Sequence, residues 1–490
     1  MTGFDFAGGS VAPTAQAPGA DALDAWKTRL LAEGRARKAQ QAGGRKLSHK
    51  DIEELARQVF AEVRRAALDE GVRLPDAWLY MLIGDLSGLG PLMELIARDD
   101  VEDIALNLQH LYAYTTTRGW VPMGKAAPQV GDAIRVLIDR AGQRGPTPDL
   151  PIADAMLQVT VPRPDGQGVE RKGLRVNYIM PPASPYGDII TIRVSRYRTA
   201  RDMAGHPLGR LTASRLPPVP RPSFQPIDFP AGDGALSPEA ANYLVAVLVF
   251  GGTLVVAGST GSGKTFLSTA LLQEMLNFYN AQAPGALRLF VVEDSHEIVL
   301  NGWDGDPASD TGNIVYTVTR PAIRGGPPPV TTYDLIRAAL RSRPHGIVVG
   351  EARGAEAWEL VRATATGHGH SIFTIHATSA ERVWPRFLQA VQAHPDVQGM
   401  EPLHVARGFA EGVAAIVYIE RHPRYGQRVM EIAEVAEVVE RSAGRPTLTP
   451  LFRFDPGRER LLPTGNLPMR AGFRAVEMNL PPSFFRRQGL

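Results

Sequence analysis

Residues 258–265 read GSTGSGKT, and no other stretch constrains the fold as strongly. The run fits G-x-x-x-x-G-K-[ST] at every fixed position, after the apolar segment 253–257 and before a helical pattern over 266–278. Strand, glycine-rich turn and helix in this order read as a phosphate-binding loop. Glycines let the backbone curl so that successive N–H groups face phosphate oxygens, and the helix N-terminus adds partial positive charge. Gly258 makes the turn, while Ser259, Thr260, Gly261, Ser262 and Gly263 form the cradle. Lys264 is placed to neutralise the β- and γ-phosphates, and the Thr265 hydroxyl to ligate Mg²⁺. The loop therefore calls for a nucleoside triphosphate with Mg²⁺ as cofactors. The loop alone does not choose among kinases, GTPases, helicases and motors.

Around the loop, apolar strand-like runs (253–257, 287–293, 314–318, 347–350, 371–375) alternate with helical patterns. That alternation predicts a largely parallel sheet covered by helices, an α/β fold, over 236–460. Upstream, 88–198 mixes short strands (101–107, 111–115, 174–179, 188–194) with a helix over 132–140, the pattern of a smaller N-terminal α+β domain. Residues 46–87 read as a helical extension, with Ile52, Leu55, Val59, Phe60 and Val63 on one face and a second helix over 77–86. Proline and arginine crowd 199–235, the composition of a linker. Residues 1–45, rich in Ala, Gly and Gln, read as a flexible tail with at most one helix around 23–31. Residues 461–490 read as a C-terminal tail.

Two acidic clusters follow predicted strands, where doubly wound sheets place their chemistry. Glu351 follows 347–349 and suits a carboxylate near Mg²⁺; Glu293 or Glu297 suits positioning of the attacking water. The helical run 335–343 ends at Pro344 with a cationic last turn. Arg341 and Arg343 there suit either the helix dipole or a charge directed at a nucleotide.

Composition removes several classes. Without cysteine there is no disulfide or thiolate chemistry, and a net charge of +2 does not call for a nucleic-acid partner. Basic runs at 35–38 and 193–198 are not interleaved with aromatics, so direct nucleic-acid binding is not expected. The N-terminus lacks a basic start followed by an apolar core, and the most apolar stretch, 243–257, is shorter than the roughly 20 residues of a membrane span. The expected location is cytoplasmic. Three histidines, His368, His370 and His376, lie within nine residues, but their spacing along a predicted strand does not converge on a metal.

Together the motifs resemble the type II/type IV secretion-system ATPases, hexameric motors of secretion, pilus assembly and conjugation. The matching runs, in order, are GSTGSGKT (258–265), VEDSHEI (291–297), LRSRP (340–344) into IVVGEARG (347–354), and TGHGHSIFTIHA (366–377). GLGPL (88–92) and the segments 429–435 and 450–455 look closest to the branch that assembles Flp/Tad-type pili. The resemblance implies a RecA-like P-loop NTPase domain that takes ATP, joined by a linker to the smaller N-terminal domain, in a ring, a hexamer, working at the inner face of the cell membrane with platform or channel proteins. It implies Glu351 as the acid of the second nucleotide motif, Glu293 and Glu297 as acids of an aspartate box, and His368 and His376 as histidine-box residues next to the nucleotide. It further implies that Arg175 and Arg193 reach the phosphates from the N-terminal domain, with Arg353 alongside. The alternative function is a conjugative DNA-transfer ATPase or a nucleic-acid motor on the same core. Three positions depart from the pattern: Met156 stands where relatives carry Arg, His345 where they carry Asp, and Thr378 where they carry Asn.

Overall fold

The computed structural model describes residues 20–43, 47, 49–115, 118–126, 129–163, 169–195, 235–300, 312–440, 444–466, 468 and 470. Nearly all of the expected linker and C-terminal tail, and the basic residues Arg196 and Arg198, lie outside them. The chain divides into two compact units, one from Met1–Asp99 with Val159–Arg171 and one from Asp100–Gln158 with Lys172–Leu490.

The first unit is helical: α1 (Ala20–Ala42), α2 (His49–Asp69), α3 (Trp78–Leu86) and α4 (Pro91–Ala97). The expectation of a flexible tail through residue 45 is corrected here. Trp26 and Leu30 on α1 are buried in one core with Leu55, Val59, Phe60 and Leu82. Only the first half of α1 carries apolar residues, so its sequence looks like a tail until a partner helix supplies the other wall. Arg37 extends the polar half, donating to Glu62 of α2.

The second unit holds a nine-stranded sheet and most of a six-stranded one. Strands β1 (Val101–Asn107), β2 (His110–Thr115), β3 (Gly119–Lys125), β4 (Ile152–Pro162), β5 (Val169–Ile179) and β6 (Ile189–Ser195) form a six-stranded sheet in the order β3-β2-β1-β6-β5-β4, with α5 spanning Val130–Arg140. Strands β3 and β4 and the first half of β5 were not expected. Pro122 and Gly124 interrupt the apolar alternation of β3, whose outer residues are exposed at the sheet edge.

The nine-stranded sheet is the larger. Helix α6 (Pro238–Val249) leads into β7 (Thr253–Ala257), then α7 (Lys264–Gln282), β8 (Arg288–Glu293), β9 (Asn313–Val318), α8 (Thr332–Ala339), β10 (Gly346–Val349), α9 (Glu356–Ala365), β11 (Ser371–Ile375), α10 (Ala380–Val391), α11 (Pro402–Gly412) and β12 (Ala415–His422). Strands β13 (Gly426–Glu440), β14 (Arg445–Asp455) and β15 (Arg460–Pro463) follow, and the order is β15-β14-β13-β12-β7-β11-β10-β8-β9. The six strands from β12 to β9 run parallel and the last three are antiparallel. Residues alternate between two cores. Val255, Phe290, Val292 and Phe373 face one, and Leu254, Val256, Leu289, Val291 and Ile372 face the other. Helices cover both faces, so these strands are continuously apolar. Truncating the fully buried Phe373 to Ala would cost about 3–5 kcal/mol. Among the described residues no helix is long and apolar enough to cross a membrane.

Helix α8 is set at its start by a capping box: Thr331 accepts from Asp334 N–H while the Asp334 carboxylate accepts from Thr331 N–H. It ends at Ala339, four residues before the expected end. Arg341 and Arg343 therefore stand beyond the helix, and neither complements its dipole as a last-turn cation. Arg341 pairs with Asp154 at 2.5 Å. Arg343, in a left-handed turn (φ 49°), pairs with Glu102 at 2.8 Å and the buried Asp103 at 2.5 Å, with its guanidinium 3.5 Å over the Tyr114 ring. These arginines tie the strand-leading turn to the six-stranded sheet. Arg288, fully buried at the start of β8, extends the same junction through Asn107, Thr191, Asn313 and the Ser342 carbonyl.

Candidate active site

The loop 258–263 leaves β7 and enters α7 with Gly263 in the left-handed region (φ 99°), a conformation that side chains disfavour. Gly258 is required by contact: a Cβ there would lie 2.3 Å from the Ile419 carbonyl oxygen of β12. Gln427 of the adjacent strand β13 also holds the loop, its amide donating to the Gly261 carbonyl at 3.1 Å. Inside the loop the Lys264 ammonium donates to the carbonyls of Gly258 (3.1 Å) and Ser259 (3.0 Å). Burial lowers the Lys264 pKa; Glu351 works against that shift and Arg353 adds to it.

The arrangement fits a nucleotide. The first carbonyl-bound amide of α7 is that of Leu267, bonded to Gly263 O at 3.0 Å, so the earlier amides of the turn lack a helical acceptor. Ser259, Thr260 and Gly261 are exposed at the loop tip, and Ser262 is buried with its hydroxyl unpartnered among the described residues. No cluster of three or more His, Asp or Glu side chains suited to a metal occurs among the described residues. Mg²⁺ chemistry accepts that, because this ion keeps several waters and takes ligands from phosphate.

Glu351 leaves β10 beside the loop. Its carboxylate accepts two hydrogen bonds from Arg353 (2.6 and 2.7 Å), and His376 Nε2 lies 3.0 Å away. Burial pushes this carboxyl up, but the Arg353 hydrogen bond and the charges of His376, Arg353 and Lys264 outweigh it and hold the pKa below its ordinary value. His376 reaches this point because β11 runs parallel to β7, with Ile375 paired to Ala257.

Glu293 ends β8, the strand next to β10. Its buried carboxylate accepts the backbone N–H groups of Glu297 (3.3 Å) and Ile298 (3.2 Å), so the chain after the strand folds around it. Burial raises its pKa to about 7; the two amide bonds lower it and the Glu297 charge raises it further. The ambiguity between Glu293 and Glu297 thus narrows, since Glu297 is exposed and its backbone serves Glu293. Asp294, not singled out from sequence, lies 3.8 Å from Arg353 and accepts from the Thr319 hydroxyl at 3.0 Å. Ile419 and Gln427 were also missed. They follow the loop by more than 150 residues and match no motif.

Two groups of expected site residues are not brought to the loop. His368 precedes β11, and its Nδ1 meets the Pro344 carbonyl at 2.8 Å. A five-residue strand, roughly 16 Å long, separates it from His376. The expectation that both histidines adjoin the nucleotide is corrected for His368, because a parallel strand carries its two ends to opposite edges of the sheet. His370 (φ 56°) meets the Leu248 carbonyl at 2.7 Å, also at the far edge. Arg175 and Arg193 are cross-strand neighbours on β5 and β6. Arg193 pairs with Asp103 at 2.9 Å and Arg175 is exposed. Among the described residues no hydrogen bond or ion pair joins either arginine to the loop. At the departing positions, Met156 is exposed, and His345 accepts the Arg288 N–H at 3.0 Å. Burial, then neighbouring His and Arg charges, pushes His345 down to about 3 and keeps it neutral.

Residues 234–399 match the family described as Type II/IV secretion system protein. The chain is 31% identical over 342 residues to the Type IV secretion system protein PtlH of Bordetella pertussis, covering 68% of this chain and 89% of that one. It is 29% identical over 278 residues to the Type IV secretion system protein VirB11 of Brucella suis, covering 55% and 71%. The crystal structure of the VirB11 ATPase from the Brucella suis type IV secretion system, in complex with sulphate, aligns with a TM-score of 0.50 at 23% identity over 70% of this chain and 92% of that one. That likeness is one of fold.

Proposed function

Because the chain belongs to the type II/IV secretion system protein family, we propose that it is an ATP-hydrolysing motor that powers a secretion or pilus-assembly machine. The observation that carries this reading is the junction of Lys264, Glu351, Arg353 and His376 at one edge of a parallel sheet. A phosphate loop alone serves binding; a loop with a polarised carboxylate on a neighbouring strand end serves hydrolysis.

In this reading Lys264 and the first amides of α7 bind the β- and γ-phosphates. Thr265 and Glu351 would hold Mg²⁺, which when bound supplies charge neutralisation to the transferring phosphoryl group. His376 and Arg353 fix the Glu351 carboxylate in orientation and keep it ionised. Glu293, with a carboxyl near neutrality, is suited to hold or release a proton at the attacking water. Subunits assemble into a ring, a hexamer, so that hydrolysis in one is felt by the next. The six-stranded sheet and the nine-stranded sheet are the two working parts of the subunit. Arg175 and Arg193 reach the phosphates only if those parts shift, since Arg193 is now engaged by Asp103. The machine is expected at the cytoplasmic face of the cell membrane, with membrane-embedded platform or channel proteins as partners.

ATP turnover of the purified chain beside Lys264→Ala and Glu351→Gln, with particle mass measured in parallel, tests the reading. Turnover in the wild type well above both variants, from a ring-sized particle, is expected. Wild-type turnover no higher than that of the variants would overturn hydrolysis, and a monomer at every concentration with ATP would overturn the ring.

A further inference from the structure

Phe266 is the most exposed large apolar side chain among the described residues, 80% accessible, and it directly follows Thr265 of the phosphate loop. The rest of the solvent face of α7 is small or polar: Ala270, Gln273 and Asn277 stand at the same helical spacing. Its neighbours Leu267, Leu271, Leu272 and Met275 are buried in the core. A single exposed apolar side chain is ordinary on a protein surface; what sets Phe266 apart is its place beside the phosphate loop.

Its position gives it a use. Phe266 lies in the first turn of α7, among the amides that lack a helical acceptor and face any bound phosphate. Helical side chains lean toward the helix N-terminus, so the ring overlies the turn that binds phosphate rather than the body of the helix. Space at the loop tip is open, with no atom within 4 Å of a Cβ built on Gly261. A nucleotide whose β- and γ-phosphates sit at this turn carries its base beyond the α-phosphate and the ribose, and the exposed aromatic side chain beside the turn is Phe266. Aromatic faces stack on any base, whatever its hydrogen-bonding edge.

We propose that Phe266 forms a stacking wall for the nucleobase, so that the loop grips the phosphates and this ring grips the base. The proposal rests on the nucleotide reading of the loop. It implies little discrimination between adenine and guanine, because stacking does not read base edges.

The test compares the full-length protein with Phe266→Ala and Phe266→Tyr, titrated with ATP, GTP and inorganic tripolyphosphate by calorimetry without turnover. Phe266→Ala is expected to weaken ATP and GTP by roughly tenfold or more and to leave tripolyphosphate unchanged; Phe266→Tyr is expected to restore both nucleotides. Unchanged ATP affinity in Phe266→Ala would overturn the proposal, as would an equal loss for tripolyphosphate, which would make the residue a support of the loop. A loss confined to particle mass would assign the ring to a subunit contact and also overturn it. If the wild type bound neither ATP nor tripolyphosphate, the nucleotide reading itself would fall. Wild-type binding of tripolyphosphate with a tenfold gain for ATP keeps the two readings separate.

Discussion

The two edges of the nine-stranded sheet use the same residue types for opposite purposes. At the edge where the strands end, His376 meets a carboxylate, and Glu351, Arg353, Asp294 and Lys264 form one connected group of charges. At the edge where they begin, His345, His368 and His370 hydrogen-bond to backbone groups, His370 also lies edge-on to the rings of Tyr279 and His345, and burial holds His345 neutral. A histidine beside a carboxylate orients and sustains a charge, whereas a histidine on a carbonyl or amide satisfies a buried polar group and pins two segments together. Chemistry and fastening have been separated to opposite ends of the same strands.

The largest expected effect comes from the charged edge. Glu351→Gln keeps the shape but removes the charge that Arg353 and His376 hold; turnover is expected to fall by about 100-fold or more with nucleotide affinity retained. Single-turnover kinetics with a binding titration checks this, and a parallel loss of affinity would make Glu351 a binding group instead. Glu293 is a second carboxyl of that edge, buried, with His296 Nδ1 3.5 Å away. In the fold it keeps a proton up to about pH 7 that the unfolded chain releases near 4.5, so folded stability falls as pH rises through that window. Glu293→Gln is expected to raise stability by about 1–3 kcal/mol at pH 8 and to change little at pH 4. Urea midpoints at the two pH values measure it, and an equal gain at both would mean that charge is not the cause.

The smallest effect sharpens the comparison most. His376→Ala is expected to lower turnover by about tenfold, while His368→Ala leaves turnover within about twofold and costs about 1 kcal/mol of stability. Equal losses of turnover would break the division between the two edges.

Much of this was legible without a structure, for a local reason. Strands β1 and β11 were read with the bounds observed, since each is an apolar run closed by turn residues. The phosphate loop was legible because its glycines, lysine and threonine are contiguous. Helix α1 was legible only over its first half, where Leu23 to Leu31 carry the apolar stripe that packs into one core with α2 and α3. Arg341 and Arg343 read as helix-end cations or as charges directed at a nucleotide, and neither reading names the acids they pair with. Their acidic partners, Asp154 and Asp103, lie 187 and 240 residues away in the chain.

By itself, then, the sequence determined the elements whose cause is local: the loop, the apolar strands and the acids at their ends. The tertiary structure decided which histidine meets a carboxylate and that Glu293 rather than Glu297 is buried. It also decided that Ile419 and Gln427 brace the loop. Those outcomes depend on strand direction and on contacts between residues far apart in the chain. Periodicity and spacing carry neither, because a pattern along the chain records which face a residue takes and not which neighbour it will meet there.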